Sequence, residues 1–355
     1  MTIQRKASWQ KKLIIILFAF VLLFAFAGCK KDEQTSVDPT SQEPESPRVE
    51  EKEPKSENKQ PEYKYKAPLT NMGVEKEVNN RPIAVFVENS PNARPQSGLD
   101  KADIVYEVMA EGGITRFIGI FQSQKPETIG PIRSAREYML DIANDYDAVI
   151  VHAGGSPGAL SRIQKEKLPS ISEIINGSYF KREKFRKAPH NVYSNIDLLT
   201  KGAQTLKFRD NYTLPSLSFR AEGQEVQGTV SKEFVIPYGN IYQVKYIYDE
   251  EKQRYQRFIN NEPHADMTSK EQLTANNILV AYARHNIVDK VGRIDINLKT
   301  TGKGFAFQEG KMIDVTWRHV NGMMRFYNGN DEIALMPGNT WIQIVPDVIT
   351  VNVQK

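Results

Sequence analysis

Apolar and polar positions change rhythm several times along the chain. Leu13 to Ala27 is an unbroken apolar run of 15 residues, short of the roughly 20 that a spanning helix needs. Lys30 to about Lys66 then holds almost no large apolar side chain before Tyr63 and Tyr65. From Pro68 short apolar runs return. Pro82–Val87, Ala102–Met109, Arg116–Phe121 and Tyr146–His152 read as strands, with Gly112-Gly113 as a tight turn between the second and third. Ser134 to Asn144 carries apolar residues at 135, 138, 139, 142 and 143, a stripe that predicts a helix capped by Ser134. Ser156-Pro157 supplies the cap and first residue of a helix over 157–166, and a further helix is predicted over Asn195–Gln204.

Beyond Leu214 the pattern becomes short runs of alternating polarity, rich in aromatics: Tyr242–Tyr248, Tyr255–Ile259, Ile278–Tyr282, Arg293–Lys299, Met312–Arg318, Met323–Tyr327 and Thr340–Val345. Gly-Asn, Asn-Asn and Asn-Gly pairs punctuate them. The predicted fold class is α+β: a mixed α/β N-terminal domain over 67–213, followed by a mostly β C-terminal domain over 214–355, either sandwich or partly closed barrel.

The start of the chain has the anatomy of an export signal. Arg5, Lys6, Lys11 and Lys12 precede the apolar run, and Phe26-Ala27-Gly28-Cys29 follows it. Small residues directly before a cysteine predict a lipoprotein signal peptide over 1–28, with the Cys29 thiol taking a diacylglyceryl group and the new amino terminus a further acyl chain such as palmitate. Two or more chains suffice for stable anchoring. The alternative is an uncleaved anchor helix. Either way the rest of the chain is expected on the outer face of the cell membrane. Residues 29–66, rich in Glu, Lys, Pro, Ser and Gln, predict a disordered tether, which would hold the folded part roughly 35 Å from the membrane on average.

Cys29 is the single cysteine of 355 residues, so no disulfide forms within the chain. The formal charge of +4 belongs to the signal segment; the remainder holds 43 basic and 43 acidic residues. That balance offers no nucleic-acid surface.

Candidate chemistry gathers at strand ends and turns of the first half, where sites are built. Arg133 and Arg136 flank a predicted helix start, where a cation opposes the helix dipole and asks for an anion. Either a phosphate-type or carboxylate ligand, or an internal carboxylate from Glu88, Glu107 or Glu111, would answer them. The predicted anion site comprises Arg94, Arg116, Arg133, Ser134 and Arg136 together with the Gly154-Gly155-Ser156 turn, whose backbone amides can approach an anion. Glu111, His152 and His190 are the acid–base candidates. The chain has no HExxH, no clustered His and Cys, and no G-x-S-x-G elbow, so no metal and no cofactor are predicted.

Several of these segments together resemble a known family. Arg81-Pro82-Ile83-Ala84-Val85, Ala93-Arg94-Pro95-Gln96-Ser97-Gly98-Leu99, Ala102 to Glu107, Glu111-Gly112-Gly113-Ile114-Thr115-Arg116, Gly130 to Arg136 and Pro189-His190-Asn191 resemble the N-terminal domain of the YerB lipoproteins of Gram-positive bacteria. Tyr255-Gln256-Arg257, Asn276 to Val280 and Pro337 to Ile342 resemble the companion C-terminal domain. The likeness runs from about residue 67 to the end and implies a lipoprotein with two domains of unknown function. It carries over no catalytic set. A weaker similarity, to the LytR–CpsA–Psr envelope transferases, rests on the order Ala102-Asp103-Ile104-Val105, Pro131-Ile132-Arg133 and Tyr146 to Val151. That family has an Asp after the Arg, where this chain has Ser134, so its metal and pyrophosphate chemistry is not carried over.

The sequence thus predicts an envelope protein on a lipid anchor whose first domain binds an anionic ligand or a protein partner. The alternative is an enzyme acting on phosphate-bearing or peptidoglycan-related substrates. Cys29→Ser is expected to remove the acyl acceptor and leave an unprocessed or released form, read by detergent phase partitioning and N-terminal sequencing. Equal membrane retention with cleavage at the same residue would overturn the lipoprotein assignment.

Overall fold

The computed structural model describes residues 63–213 and 216–354. The signal segment, Cys29 and the tether as far as residue 62 lie outside the described residues. Ile83–Glu88 (β1), Ile104–Met109 (β2) and Thr115–Phe121 (β3) are buried at every position, which requires cover on both faces of their sheet. Alternate side chains of β1 divide accordingly. Ala84 and Phe86 enter a core with Tyr138, Met139 and Ile142 of one helix, while Val85 and Val87 enter a second core with Leu199 of another.

Those helices are α1 (Glu137–Asp145), α2 (Pro157–Lys165) and α3 (Ile196–Thr205). The α2 and α3 caps fall where the sequence places them: Ser156 Oγ accepts from Ala159 N and Asn195 Oδ1 from Leu198 N. Helix α1 starts later than predicted, with Arg136 rather than Ser134 at the N-cap and no side-chain cap bond. Tertiary pairing holds the preceding residues extended. Ala135 N donates to Gly154 O (3.0 Å), Ser156 N to Ala135 O (3.1 Å) and Ser134 Oγ to Ala153 O (2.9 Å).

Val149–His152 (β4) and Ser170–Ser172 (β5) extend the sheet beyond β1 with parallel pairing. In the second half, Glu233–Gly239 (β6), Tyr242–Asp249 (β7) and Arg254–Ile259 (β8) form a separate antiparallel sheet whose residues largely alternate between buried and part-exposed. Asn277–Ala283 (β9), Thr301–Gln308 (β10), Lys311–Val320 (β11), Met323–Asn328 (β12) and Thr340–Pro346 (β13) complete the long sheet, in the order β12-β11-β10-β9-β13-β2-β3-β1-β4-β5. The α+β class therefore holds, with a mixed first half and a mostly β second half. Strand β10 went unpredicted because Gly302 and Gly304 interrupt its pattern. A side chain at Gly304 would run into the Val280 carbonyl of β9, so close strand approach demands the glycine.

One sheet runs through both halves. Its seam is the parallel pair β13–β2, where Gln343 lies beside Glu107. Beside the seam, from the second sheet, Arg257 of β8 donates from Nη2 to Glu107 Oε2 (2.8 Å), with both side chains almost fully buried. Glu107 Oε1 also accepts from Thr115 Oγ1 (2.6 Å) and the Tyr242 hydroxyl. Arg257 also donates to the Tyr246 hydroxyl (2.6 Å) and to His264 Nδ1 (3.0 Å). Removing one partner of such a buried pair strands the other charge. Arg257→Met is therefore expected to destabilise the protein by about 3–5 kcal/mol in denaturant melts, and Glu107→Gln combined with Arg257→Met by less than the sum of the two singles. Additive losses would show that the pair is not coupled.

Candidate functional site

Strands β1, β4 and β5 run parallel, so their carboxyl ends lie together at one edge: Glu88, His152 and Ser172. Ligand sites in α/β sheets form at such edges. The segment before α1 crosses this edge. Arg133 N donates to Phe86 O (2.8 Å) and Ala153 N to Arg133 O (3.1 Å). Arg133, Ser134 and the Gly154-Gly155-Ser156 turn are thereby adjacent, and His190 reaches the same edge from the loop before Val192.

The arginines differ in what answers them. Glu111, on the turn between β2 and β3, accepts from Arg136 at both Nε and Nη2 (the latter 2.8 Å) and from Arg116 Nη2 (3.3 Å). Arg116 Nη1 also donates to Ser134 O (2.8 Å). Burial, with the charge of Arg136, pushes Arg116 down to about 10. Of the arginine pair flanking the helix start, Arg136 has the internal carboxylate of Glu111. The Gly-Gly turn is likewise occupied from within. Ser156 Oγ donates to Glu137 Oε2 (2.7 Å), which sets a carboxylate at the α2 N-terminus. Gly154 and Gly155 face Ile174 and Leu160. Arg94 is held by Asn89, from Nε to Oδ1 (3.0 Å) and from Nη2 to the carbonyl (2.7 Å), and lies over the Tyr242 ring at 4.6 Å. It belongs to the seam.

Arg133 is different. Its nearest acceptors are Glu88 Oε1 at 3.6 Å and Pro189 O at 3.5 Å, and its side chain keeps 28 % exposure. At those distances the guanidinium forms no good hydrogen bond. Beside it, Glu88 is 2 % exposed and accepts from Ser90 Oγ (2.9 Å) and His190 Nδ1 (3.0 Å). A carboxylate only accepts, so His190 carries its proton on Nδ1. Its Nε2 has no partner among the described residues and is not buried.

His152 has no such freedom. Nδ1 donates to Gly154 O (2.6 Å), Nε2 accepts from Ser170 Oγ (2.9 Å), and burial lowers its pKa. Both nitrogens serve the β4–β5 junction. Of the three acid–base candidates, Glu111 is held by two arginines and His152 by the backbone, leaving His190. Glu88 as the partner of His190 was not among the predicted site residues. It closes an apolar strand as its one polar residue, and that was the available signal. Arg257, which with Tyr242 and His264 supports the site from behind, entered only through the Tyr255-Gln256-Arg257 family motif and not as a site residue, since all three lie in another half of the chain.

These features define a two-region α+β protein with a polar site at a parallel-strand edge, buttressed by its β half. The chain belongs to the family described as protein of unknown function DUF3048, whose N-terminal domain matches residues 69–209 and C-terminal domain residues 234–342. It is 40 % identical over 297 residues to the Bacillus subtilis (strain 168) protein named "Putative lipoprotein YerB", covering 82 % of this chain and 89 % of that one. The crystal structure of YerB protein from Bacillus subtilis matches with a TM-score of 0.77 at 40 % identity, over 82 % of this chain and all of that one. The family resemblance read from the sequence is correct.

Burial alone would raise the Glu111 carboxyl, but the Arg136 hydrogen bond and both arginine charges outweigh it and hold the group below the usual carboxylate range. A depressed carboxylate stabilises the fold above its unfolded value of 4.5 and loses that contribution as pH falls through the lower folded value. Glu111→Gln is thus expected to lower Tm at pH 7 and to flatten its fall below pH 4.5. An unchanged acid limb would show that the triad contributes nothing.

Proposed function

We propose that this chain is a membrane-anchored, extracytoplasmic lipoprotein that binds an anionic envelope ligand at the carboxyl ends of β1 and β4. Arg133 is the clamp and His190 Nε2 the second polar group. The location rests on the Cys29 signal and on the lipoprotein name of the relative. The binding reading rests on one observation: Arg133 stays part-exposed with only long internal contacts, while Arg116 and Arg136 are spent on Glu111. A guanidinium kept available beside a free imidazole nitrogen suits a phosphate or carboxylate.

A second reading, an enzyme on phosphate-bearing or peptidoglycan-related substrates, is favoured by the Glu88–His190 pair. A buried carboxylate orienting an imidazole whose other nitrogen is open is the arrangement of a general base.

Calorimetric titration of the full-length protein in neutral detergent with inorganic pyrophosphate tests the binding reading. Arg133→Gln is expected to weaken binding about ten-fold or more, the worth of a hydrogen bond to a charged group, and to leave Tm unchanged. Undiminished binding by that variant sinks the proposal. Release of phosphate from pyrophosphate that His190→Ala abolishes would favour the enzyme.

A further inference from the structure

The second half carries a concavity independent of the Arg133 edge. The β6–β8 sheet covers part of the long sheet, with Phe234 stacked on Phe307 of β10 at 3.6 Å between ring centroids. Two residues along β10 that cover ends. Phe305 and Lys303, which share the face of Phe307, lie over an open groove of about 340 Å³. Tyr282 of β9 and Tyr327 of β12 also line it, and Thr316 and Asp314 of β11 stand exposed at its rim. Val351 N donates to the Tyr282 hydroxyl (3.2 Å), fixing that ring.

Arg318 adjoins the groove on the same face of β11 as Thr316. Its guanidinium lies 3.7 Å from the centre of the Tyr327 ring. Several arginines of the fold have carboxylates, among them Arg81 with Asp147, Arg136 with Glu111, Arg162 with Asp141 and Arg325 with Glu332. Arg318 has none among the described residues, and its Nε is buried without a hydrogen-bond partner. A guanidinium with no carboxylate of its own is available to an anionic group.

We propose that this groove binds an acidic saccharide. Sugar rings present C–H faces that stack on aromatic rings, which Tyr282, Phe305 and Tyr327 supply. Their hydroxyls need mixed donors and acceptors, which Lys303, Thr316 and Asp314 provide. A carboxylate substituent takes the planar Arg318 fork. The groove has the size and the mix of apolar walls with few polar groups expected of a small-molecule site. An extended peptide added as a strand is excluded, because β10 and β11 already pair on both sides.

The test is calorimetric titration of the full-length protein in neutral detergent with two probes. One is the disaccharide of N-acetylglucosamine and N-acetylmuramic acid, and the other is neutral chitobiose. The acidic probe is expected to bind about ten-fold or more tightly than the neutral one. Arg318→Gln should erase that preference while chitobiose affinity is kept, and Thr316→Ala should weaken both. Arg133→Gln should change neither, which separates this groove from the strand-edge site. If Arg318→Gln lowers Tm, Arg318→Lys substitutes for it, keeping the charge without the fork, and wild-type preference in that variant counts against the proposal. Equal affinity for the two probes, or no saturable heat with either at millimolar concentration, overturns it.

Discussion

Glu107 and Arg257 face each other inside the protein, one from each half of the chain, and both are cut off from water. Removing two charges from solvent costs several kcal/mol per ion unless close geometry and further hydrogen bonds offset it. Here they do. Thr115 and Tyr242 complete the carboxylate, and Tyr246 and His264 complete the guanidinium, which also lies 4.7 Å from the Trp341 ring. Burial alone would lower the Arg257 pKa, and Glu107 with the two tyrosines reverses that and raises it. The pair joins β2 of the long sheet to β8 of the second sheet, beside the place where β13 meets β2.

The same network reaches the strand edge. His264 accepts from Arg257 at Nδ1, so its proton is on Nε2, which donates to Gln96 Oε1 (2.8 Å). Gln96 Nε2 in turn donates to Glu88 O and Asn89 Oδ1, both at 2.9 Å. Burial drives the His264 pKa well below its ordinary value, consistent with a neutral relay. The end of β1 and the loop after it, which bear Glu88 and Ser90, are therefore held in place by the β half. A second tie joins α1 to β11 and β12. Asp145 accepts from His319 Nε2 (2.8 Å) and from Met324 N (3.3 Å), and burial pushes its carboxyl up to about 6.

Charge pairing in the first half explains which candidate groups stay available. Glu111 satisfies two arginines and Glu137 satisfies the α2 N-terminus. Glu88 is already shared between Ser90 and His190, so Arg133 receives only a distant contact. Of the pair flanking the helix start, Arg133 is thus the arginine left without a close carboxylate, and it lies at the open edge of the sheet.

Local pattern was enough for much of this. Continuous apolar runs marked β1 to β4 because a strand covered on both faces has no polar alternation. Ser156-Pro157 and Asn195 marked helix starts because capping acts within a few residues. The expectation of a lipid anchor at Cys29 and the balance of charge are likewise read one residue at a time. Tertiary structure decided the rest. Whether Arg136 meets a ligand or Glu111 depends on a hairpin 25 residues away, and Ser134 loses its capping role to a bridge with residues near Gly154. Strand β10 stayed hidden because its glycines answer to a neighbouring backbone, and Arg257 because its partner lies 150 residues off. Periodicity reports which face of an element is buried; only the folded chain determines which charge waits on the other side.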